Sequence, residues 1–600
     1  MLVALFSFKL VLSGIALALT EAATPLTTVT LDYGTFTGLR NATSGITSFL
    51  GMRFADPPIG ALRWRAPVSP PSTHLGNVSA TALGFACIGT TQHDSGATTD
   101  EDCLFGNVYV PTNTTATSNL PVLVFFHGGG FETGRTRDAP AEHILQASKK
   151  PFVFATFEYR LGQFGFLAGT PVHQSGQLNA GLLDQRAALE WVQRYISRFG
   201  GDPTRVTIWG QSAGAGSVMY HLIAEGGQNQ NLFHQAMGDS PPMLYLPHYT
   251  DAFIEDLFMQ FAGLAKCANS GNGPAIMACL RAASTKTIAT AGSSTLVNLT
   301  SSLFPFGPIA DGSFILERPV EAFQNGHFIK VPVLFGSNTD EGANWSAELP
   351  NPAANTSTPG ATETTVYNFL HGQYATLTKG TFDDAVKLYP LSDYSNSMSL
   401  QGQQMYGEMR YICSALMVGA KLHDAGQRTF QYHWDNPTLG STHGDELDAL
   451  FNFNTAAAAS SDPNDAAVVT AMREYFTSFA TDGVPSVGAS STDGDGKDGQ
   501  SGSSSQGGSG GKRSSGDGAN QGGSGGQSGS DGQSSSGGGG GSDSQGGSGD
   551  QAVQWQESGT NGSPRILLHP GQIRMENVDS ALRGRCDFWH KSNVVTELAT

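Results

Sequence analysis

The sequence has few charged residues, and after its first 20 residues it has no long hydrophobic run. Charged residues make up 14% of the 600 positions, and the formal net charge is -18. This acidic balance argues against nucleic acid or an anionic membrane surface as a partner, because both repel a negatively charged protein. Since no later segment approaches the ~20 apolar residues of a transmembrane helix, we expect no stable insertion into a membrane.

Motifs for metal ions and nucleotide cofactors are also missing. The sequence contains no HExxH motif, no array of CxxC pairs and no GxGxxG between a predicted strand and a predicted helix. We therefore expect a chemistry that needs neither a metal ion nor an organic cofactor.

The N-terminal segment has the composition of a secretory signal. Residues 1–20 are mostly apolar with Lys9 as the only charge, and small residues follow at Ala22 and Ala23. We expect residues 1–23 to be a signal peptide and the protein to be extracellular, with an uncleaved anchor as the alternative. Sequons compatible with a secreted glycoprotein occur at Asn41, Asn77, Asn113, Asn298, Asn344, Asn355 and Asn561.

A Gly-x-Ser-x-Gly pentapeptide at residues 210–214 places Ser212 between two secondary-structure patterns. The apolar run at residues 206–209 is typical of a buried strand, and residues 215–224 are compatible with a helix. In this setting the glycines allow a sharp turn that exposes the serine hydroxyl and leaves the next backbone N–H free. The context predicts a nucleophile, whereas the pentapeptide alone fits an ordinary loop serine equally well.

Three consecutive glycines follow another apolar run. Residues 121–126 predict a buried strand, and residues 127–131 read His-Gly-Gly-Gly-Phe. The bare N–H groups of such a loop, with the N–H after the nucleophile, can form an oxyanion hole. Because the glycines precede Ser212 in the order that an α/β-hydrolase requires, we favour this role over a simple tight turn.

A serine hydroxyl needs a base to take its proton and an acid to orient that base. In α/β-hydrolases the acid and then the histidine follow the serine along the chain. Residues 332–336 predict a strand that leads to Asp340 and Glu341, and either carboxyl group suits the acid. Residues 429–434 predict another strand, and the glycine-flanked loop beyond it carries His443, the expected base. Other histidines, of 15 in all, are expected to be bystanders, among them His433, His423 and His327.

Five further segments extend this arrangement along the chain. They are residues 49–60, the Glu-Asp-Cys-Leu segment at 101–109, and residues 159–167, 179–184 and 199–203. In combination they resemble the type-B carboxylesterase and lipase family, which includes cholinesterases and secreted fungal lipases. The resemblance covers nearly the whole chain except the extreme N-terminus and one low-complexity tract.

The resemblance implies an α/β-hydrolase fold with a large, mostly parallel central sheet flanked by helices. It also implies the site residues, with Ser212 as nucleophile, Glu341 as acid and His443 as base. The oxyanion hole would use the backbone N–H groups of Gly129, Gly130 and Ala213. Ser240 lies where many relatives keep a hydroxyl near the acid and base, although a turn serine before proline is an equally simple interpretation.

Cysteine is scarce, and its six copies permit 15 complete pairings. Proximity along the chain suggests Cys87 with Cys103 and Cys267 with Cys279, and the family pattern agrees. Cys413 and Cys586 then remain, and they either pair or stay as buried thiols.

Two departures from the family pattern bear on the substrate. Gln211 is neutral where many relatives have glutamate before the nucleophile. The loop between Cys87 and Cys103 has no Trp, Tyr or Phe, which disfavours choline esters because cholinesterases use a tryptophan there for quaternary ammonium. In interfacial lipases of the family the same loop is a long amphipathic lid, whereas here it is short and polar.

The sequence therefore predicts a secreted carboxylesterase that acts through an acyl-serine on small-molecule esters, soluble or of short to medium chain length. The alternatives are a lipase for longer acyl chains, a non-catalytic binding protein of the same fold, and a peptidase or amidase. The sequence does not indicate an oligomeric state.

Residues 488–550 consist mainly of Gly, Ser, Gln and Asp. This composition predicts a flexible coil, either a linker between domains or a surface loop inserted into one domain. Only about 50 residues follow, too few for a comfortable separate core, and residues 566–568 and 586–589 resemble the family's final strand and closing helix. We therefore expect one domain over residues 24–600, interrupted by a disordered loop at 488–550.

Overall fold

The structure, a computed structural model, describes residues 25–452, 463–488 and 553–600. The predicted signal peptide and all but the first residue of the Gly/Ser-rich tract lie outside these ranges. The strands are β1 Thr28–Leu31, β2 Gly34–Asn41, β3 Ile46–Arg53, β4 Asn77–Ala80, β5 Ala86–Cys87, β6 Thr99–Asp100, β7 Phe105–Pro111, β8 Leu120–Phe126, β9 Val153–Phe157, β10 Gly201–Gln211, β11 Gln235–Asp239, β12 Val333–Asn338, β13 Thr429–Trp434, β14 Arg565–Leu568 and β15 Arg574–Glu576.

Most of these strands form one 13-stranded sheet in the order β1-β2-β3-β7-β9-β8-β10-β11-β12-β13-β14-β15, with β4 beside β2. From β9 to β14 all neighbours in this order are parallel. Antiparallel pairs lie towards the two margins. In the central part the carboxyl ends of the strands share one edge, so the loops after β8, β10, β11, β12 and β13 meet there.

Helices cover both faces of this sheet. They are α1 Glu142–Ala147, α2 Gly162–Gly165, α3 Thr170–Ser175, α4 Ala180–Tyr195, α5 Ala213–Gly227, α6 Ala252–Leu264, α7 Gly273–Ala282, α8 Thr285–Asn298, α9 Pro319–Asn325, α10 Glu363–Gln373, α11 Lys379–Val386, α12 Met398–Gly407, α13 Cys413–Asp424, α14 Pro463–Asp482, α15 Ser580–Trp589 and α16 Ser592–Leu598. Helix α5 packs on β10 and β11, α13 packs on β12 and β13, and α14 packs on β8.

Strand β8 shows why the central strands read as continuous apolar runs. Val122, Val124 and Phe126 face a core cluster that also contains residues of α5 and α13. Leu123 and Phe125 face the opposite cluster, which contains residues of α14. Both faces of a parallel sheet between helix layers are buried, so alternation of apolar and polar residues gives no advantage.

The chain after the Gly/Ser-rich tract completes this same architecture. Strand β14 pairs with β13 in parallel, and the disulfide bond between Cys413 and Cys586 joins α13 to α15. The other disulfide bonds join Cys87 to Cys103 and Cys267 to Cys279. All described residues other than Gly488 belong to one compact unit. Within the described ranges, no helix combines the length and the apolar character needed to cross a bilayer.

Candidate active site

Ser212 occupies a strained turn between β10 and α5. Its backbone has φ 54° and ψ -123°, a conformation that a non-glycine residue rarely adopts. The Ser212 N–H donates to Asp239 O at the end of the neighbouring strand β11 (2.8 Å). The turn is tight, because a Cβ atom at Gly210 would lie 2.3 Å from the backbone carbon of Gly214. The strand, turn and helix therefore hold the hydroxyl above the carboxyl edge of the sheet, as the pentapeptide predicts.

Glu341 follows β12 and is almost completely buried, with 1% of its surface exposed. Its Oε1 atom accepts hydrogen bonds from the Ser240 hydroxyl (2.5 Å) and from the Asn338 backbone N–H (2.7 Å). These two donors fix the orientation of the carboxyl group. Ser240 therefore lies where the sequence analysis placed it, in direct contact with the expected acid.

His443 lies in the turn after β13 and bridges the other two residues. Its Nδ1 atom is 2.6 Å from Glu341 Oε2, and its Nε2 atom is 2.8 Å from the Ser212 hydroxyl oxygen. The ring packs on Tyr411, with centroids 4.1 Å apart, and lies beside Trp345 at 5.5 Å. A carboxylate at Nδ1 selects the tautomer in which Nε2 is free to accept the serine proton.

The competing residues lie elsewhere. The side chain of Asp340 is exposed, and only its backbone pairs with the His443 loop, through Thr442. His433 contacts Glu576 at 2.9 Å. His327 contacts Glu317 at the surface, and His423 is near the C-terminal end of α13. Of the candidates for the acid and the base, the structure brings Glu341 and His443 to Ser212.

The triple-glycine loop after β8 lies against Ser212. Gly129 and Gly130 adopt φ angles of +104° and +64°, which favour glycine, and a Cβ atom at Gly128 would lie 3.0 Å from Ser212 Cβ. In the part of the chain that the structure describes, no carbonyl or side chain accepts a hydrogen bond from the N–H groups of Gly129, Gly130 or Ala213. Unpaired donors beside a nucleophile can bind a developing oxyanion.

Two buried carboxyl groups behind Glu341 had no assigned role in the sequence analysis. Asp239 accepts a hydrogen bond from Trp209 Nε1 (2.7 Å), and Glu446 accepts one from the Asn338 side chain. Burial and the charge of Glu446 raise the pKa of Asp239 well above its usual range. Burial and the charge of Glu341 raise the pKa of Glu446 to about 7. Asp239 directly precedes Ser240, and Glu446 follows His443 by three residues. Neither position in the sequence indicates that the side chain packs near Glu341.

Asp239 and Glu446 add less negative charge to this cluster than two free carboxylates would, because burial and mutual repulsion raise their pKa values. Gln211, buried beside Ser212, adds no further charge. Among these side chains, Glu341 is the one in contact with His443, where its carboxyl group can stabilise a histidinium ion.

Comparison with known proteins agrees with the fold and the motifs. Residues 25–498 match the Carboxylesterase family. Lipase 2 of Geotrichum candidum is 33% identical over 74% of this chain and 85% of its own. Secreted lipase 1 of Botryotinia fuckeliana (strain B05.10) is 32% identical over 78% of this chain and 87% of its own.

A solved structure is similar over nearly its full length. The crystal structure of Aspergillus niger EstA covers 96% of this chain and 99% of its own, with a TM-score of 0.75 and 30% sequence identity. The expected α/β-hydrolase fold is confirmed. The chain belongs to the type-B carboxylesterase/lipase family and is a carboxylic ester hydrolase.

Proposed function

We propose that this chain is a secreted serine carboxylesterase that uses Ser212 as nucleophile, His443 as general base and acid, and Glu341 as the group that orients the imidazole. The single observation that carries this proposal is the chain of short contacts from Ser212 through His443 to Glu341, of 2.8 and 2.6 Å. Three side chains distant in sequence converge in the geometry that proton transfer requires.

The mechanism follows from these contacts. The ester carbonyl oxygen binds near the N–H groups of Gly129, Gly130 and Ala213, and His443 takes the proton of Ser212 as the oxygen attacks the carbonyl carbon. The tetrahedral intermediate collapses, and the alcohol leaves with that proton. Water then donates a proton to His443 as its oxygen attacks the acyl-serine carbonyl carbon. The bond from that carbon to the Ser212 oxygen breaks, His443 returns the proton to this oxygen, and the acid is released.

We infer that soluble esters of short to medium chain length are the preferred substrates. The segment between Cys87 and Cys103 supports this inference because it is short and polar, and it offers almost no apolar surface to an oil droplet. Hydrolysis of longer acyl chains is the second candidate, and it is favoured by the relatives named lipases.

Secretion is part of the proposal. The disulfide bonds are typical of an oxidising compartment, and the Botryotinia relative is named a secreted lipase. A non-catalytic binding role is disfavoured because Ser212, His443 and Glu341 are all present and in contact. An amidase remains the alternative that uses the same residues, since the triad itself does not distinguish an ester from an amide.

The test compares 4-nitrophenyl esters of increasing acyl length with matched anilides. Ser212→Ala should lower kcat by about 10⁵-fold or more, while the control Ser313→Ala, an exposed serine, should keep the wild-type rate. Anilides should be hydrolysed far more slowly than esters. Retention of ester hydrolysis by a folded Ser212→Ala variant would refute the assignment of the nucleophile.

A further inference from the structure

A cavity opens beside the triple-glycine loop at residues 128–130, which is called the oxyanion loop below. It is bordered by Gly130. Most of its wall is apolar, with Phe166, Phe253, Leu257, Phe258, Phe304 and Ile309 among its lining residues. The part of a substrate next to the scissile carbonyl therefore has a mainly hydrophobic space to enter.

One cation interrupts this apolar wall. Of the described residues that line the cavity, Arg410 is the only one with a charged side chain. It is part of a π-helical turn, Glu408–Ile412, between α12 and α13, and only 4% of its surface is exposed. The guanidinium stays charged at any pH at which the protein is folded. A full positive charge is thus nearly buried in the wall of this cavity, next to the proposed reaction centre.

Aromatic rings surround this guanidinium. Its carbon lies 5.5 Å from the centroid of Phe304, 5.7 Å from that of Tyr406 and 5.9 Å from that of Tyr411. Burial raises the pKa of the Tyr411 hydroxyl to about 12, and the Tyr374 hydroxyl nearby donates to the Met243 carbonyl (2.6 Å). These tyrosines are neutral at physiological pH, so they offer ring faces and hydroxyl dipoles but no counter-charge.

The carboxylates of neighbouring segments are already engaged. Glu408, two residues before Arg410, forms a bidentate ion pair with Arg585. Glu341 binds Ser240 and His443. No ion pair joins Arg410 to an acidic residue of the described ranges, and its Nε atom is buried there without a hydrogen-bond acceptor.

A buried charge without a counter-ion is costly, and cation-π contacts and hydrogen bonds with the Tyr411 and Tyr374 hydroxyls compensate only in part. An anionic group that enters the cavity would supply the missing counter-charge. Phe304 links this charge to the reaction centre, since its ring contacts Arg410 on one side, and a Cβ atom at Gly130 would lie 2.3 Å from the same ring. A short carbon chain can therefore connect a carbonyl at the oxyanion loop with a carboxylate at Arg410.

We propose that Arg410 selects esters whose acyl chain ends in a carboxylate, which are half-esters of short dicarboxylic acids. This inference rests on the proposed function, because it assigns a substrate class to the same site. The Arg410 guanidinium binds the distal carboxylate, while the apolar wall packs on the methylene groups between the two ends. A purely apolar cavity would have the opposite preference, since it excludes a charged chain end.

The decisive experiment compares monomethyl adipate with methyl hexanoate, which have acyl chains of the same length and differ in the terminal carboxylate. Hydrolysis is followed by titration of the acid released by the full-length protein at constant pH. We expect kcat/KM to be at least about tenfold higher for the half-ester. Monomethyl glutarate and monomethyl pimelate have acyl chains one carbon shorter and one carbon longer than monomethyl adipate. We expect one of the three chain lengths to give the highest kcat/KM. An equal or lower value for every half-ester overturns the proposal.

Arg410→Met removes the charge and keeps most of the side-chain length. In this variant we expect a fall on the order of 100-fold in the ratio of kcat/KM for monomethyl adipate to kcat/KM for methyl hexanoate. The control Arg40→Met replaces an exposed arginine and should keep the wild-type ratio. An unchanged ratio in folded Arg410→Met contradicts the proposal. If that variant does not fold, inhibition of the wild-type protein by adipate but not by hexanoate decides the question.

The same measurements separate this inference from the proposed function. If methyl hexanoate, 4-nitrophenyl hexanoate and all the half-esters are left intact, the serine esterase assignment fails. If the two hexanoates are hydrolysed and no half-ester is preferred, the assignment stands and only the role of Arg410 is wrong.

Discussion

At the scale of single residues, the site contains buried carboxyl groups with different contacts. Glu341 has two hydrogen-bond donors and the His443 ring around it. Asp239 and Glu446 are buried in the same cluster, where their pKa values are raised. The protonation of Asp239 and Glu446 is therefore set by burial and by neighbouring charges, and not by residue type alone.

The substitution Glu446→Gln tests the raised pKa of Glu446 through the pH dependence of stability. The pKa of Glu446 is about 7 in the folded protein, against an ordinary value of 4.5. Between these values the folded state binds more protons than the unfolded state, so the free energy of unfolding falls as the pH rises. The stabilising contribution is complete below pH 4.5 and is lost as the pH passes 7. We expect the fall in Tm between pH 5 and 7.5 to be smaller in Glu446→Gln than in the wild type.

Glutamine keeps an oxygen that can accept the Asn338 hydrogen bond, so the comparison isolates the titration of the carboxyl group. Glu348→Gln changes an exposed glutamate and should retain the wild-type pH profile. Thermal unfolding at several pH values measures all three proteins. A fall in Tm that is the same in wild type and Glu446→Gln would show that Glu446 is ionised in the folded protein.

The residues that sequence reasoning could place are those with a fixed local geometry. Ser212, the triple glycine and His443 each follow a recognisable strand, and the order of such elements in this fold is constrained. The choice of Glu341 over Asp340 needed the resemblance, because the two are adjacent and only their side-chain directions differ. Asp239 and Arg410 were not predicted, since their roles depend on burial and on partners from distant segments.

At the scale of elements, the central strands could be predicted because burial on both faces makes them continuous apolar runs. The predicted run at residues 429–434 coincides with β13, and the run at 121–126 lies within β8. The order of the strands in the sheet could not be derived from these runs, because the residues of one strand do not indicate which strands lie beside it. Short margin strands such as β4 and β15 were missed, because three or four residues of mixed polarity give no periodic signal.

The disulfide bond between Cys413 and Cys586 gives a prediction at this scale. It joins α13 to α15 and closes a loop with a sequence separation of 173 residues, whereas the Cys267 to Cys279 bond has a separation of 12. In the chain-entropy account the longer loop stabilises more, by about 5 against about 3 kcal/mol. Cys413→Ser with Cys586→Ser should therefore lower the urea midpoint more than Cys267→Ser with Cys279→Ser. A larger effect of the short-loop pair would contradict this ranking.

At the scale of the whole molecule, the position of the Gly/Ser-rich tract within the fold is informative. Val487 before the tract and Val553 after it pack against the same core cluster, and the Tyr475 hydroxyl of α14 donates to the Val553 carbonyl (2.7 Å). Beyond the tract, β14 takes its place in the parallel part of the sheet. We therefore propose that residues 24–600 form one domain in which the tract is an insertion, and not a linker to a second domain.

Excision of residues 490–549 tests the insertion. Five residues would remain between Val487 and Val553, enough to reach about 20 Å, and shortening a loop from ~60 to ~6 residues lowers the closure cost by only about 2 kcal/mol. Expression, Tm and hydrolysis of 4-nitrophenyl butyrate should stay close to wild type. Removal of residues 553–600 is the contrasting control, because it takes away β14 and the Cys586 partner of Cys413 and should abolish folding. Loss of both expression and hydrolysis on excision of 490–549 would show that the tract is not a passive loop. Folding would then depend on contacts made by the tract, which its Gly/Ser-rich composition does not predict.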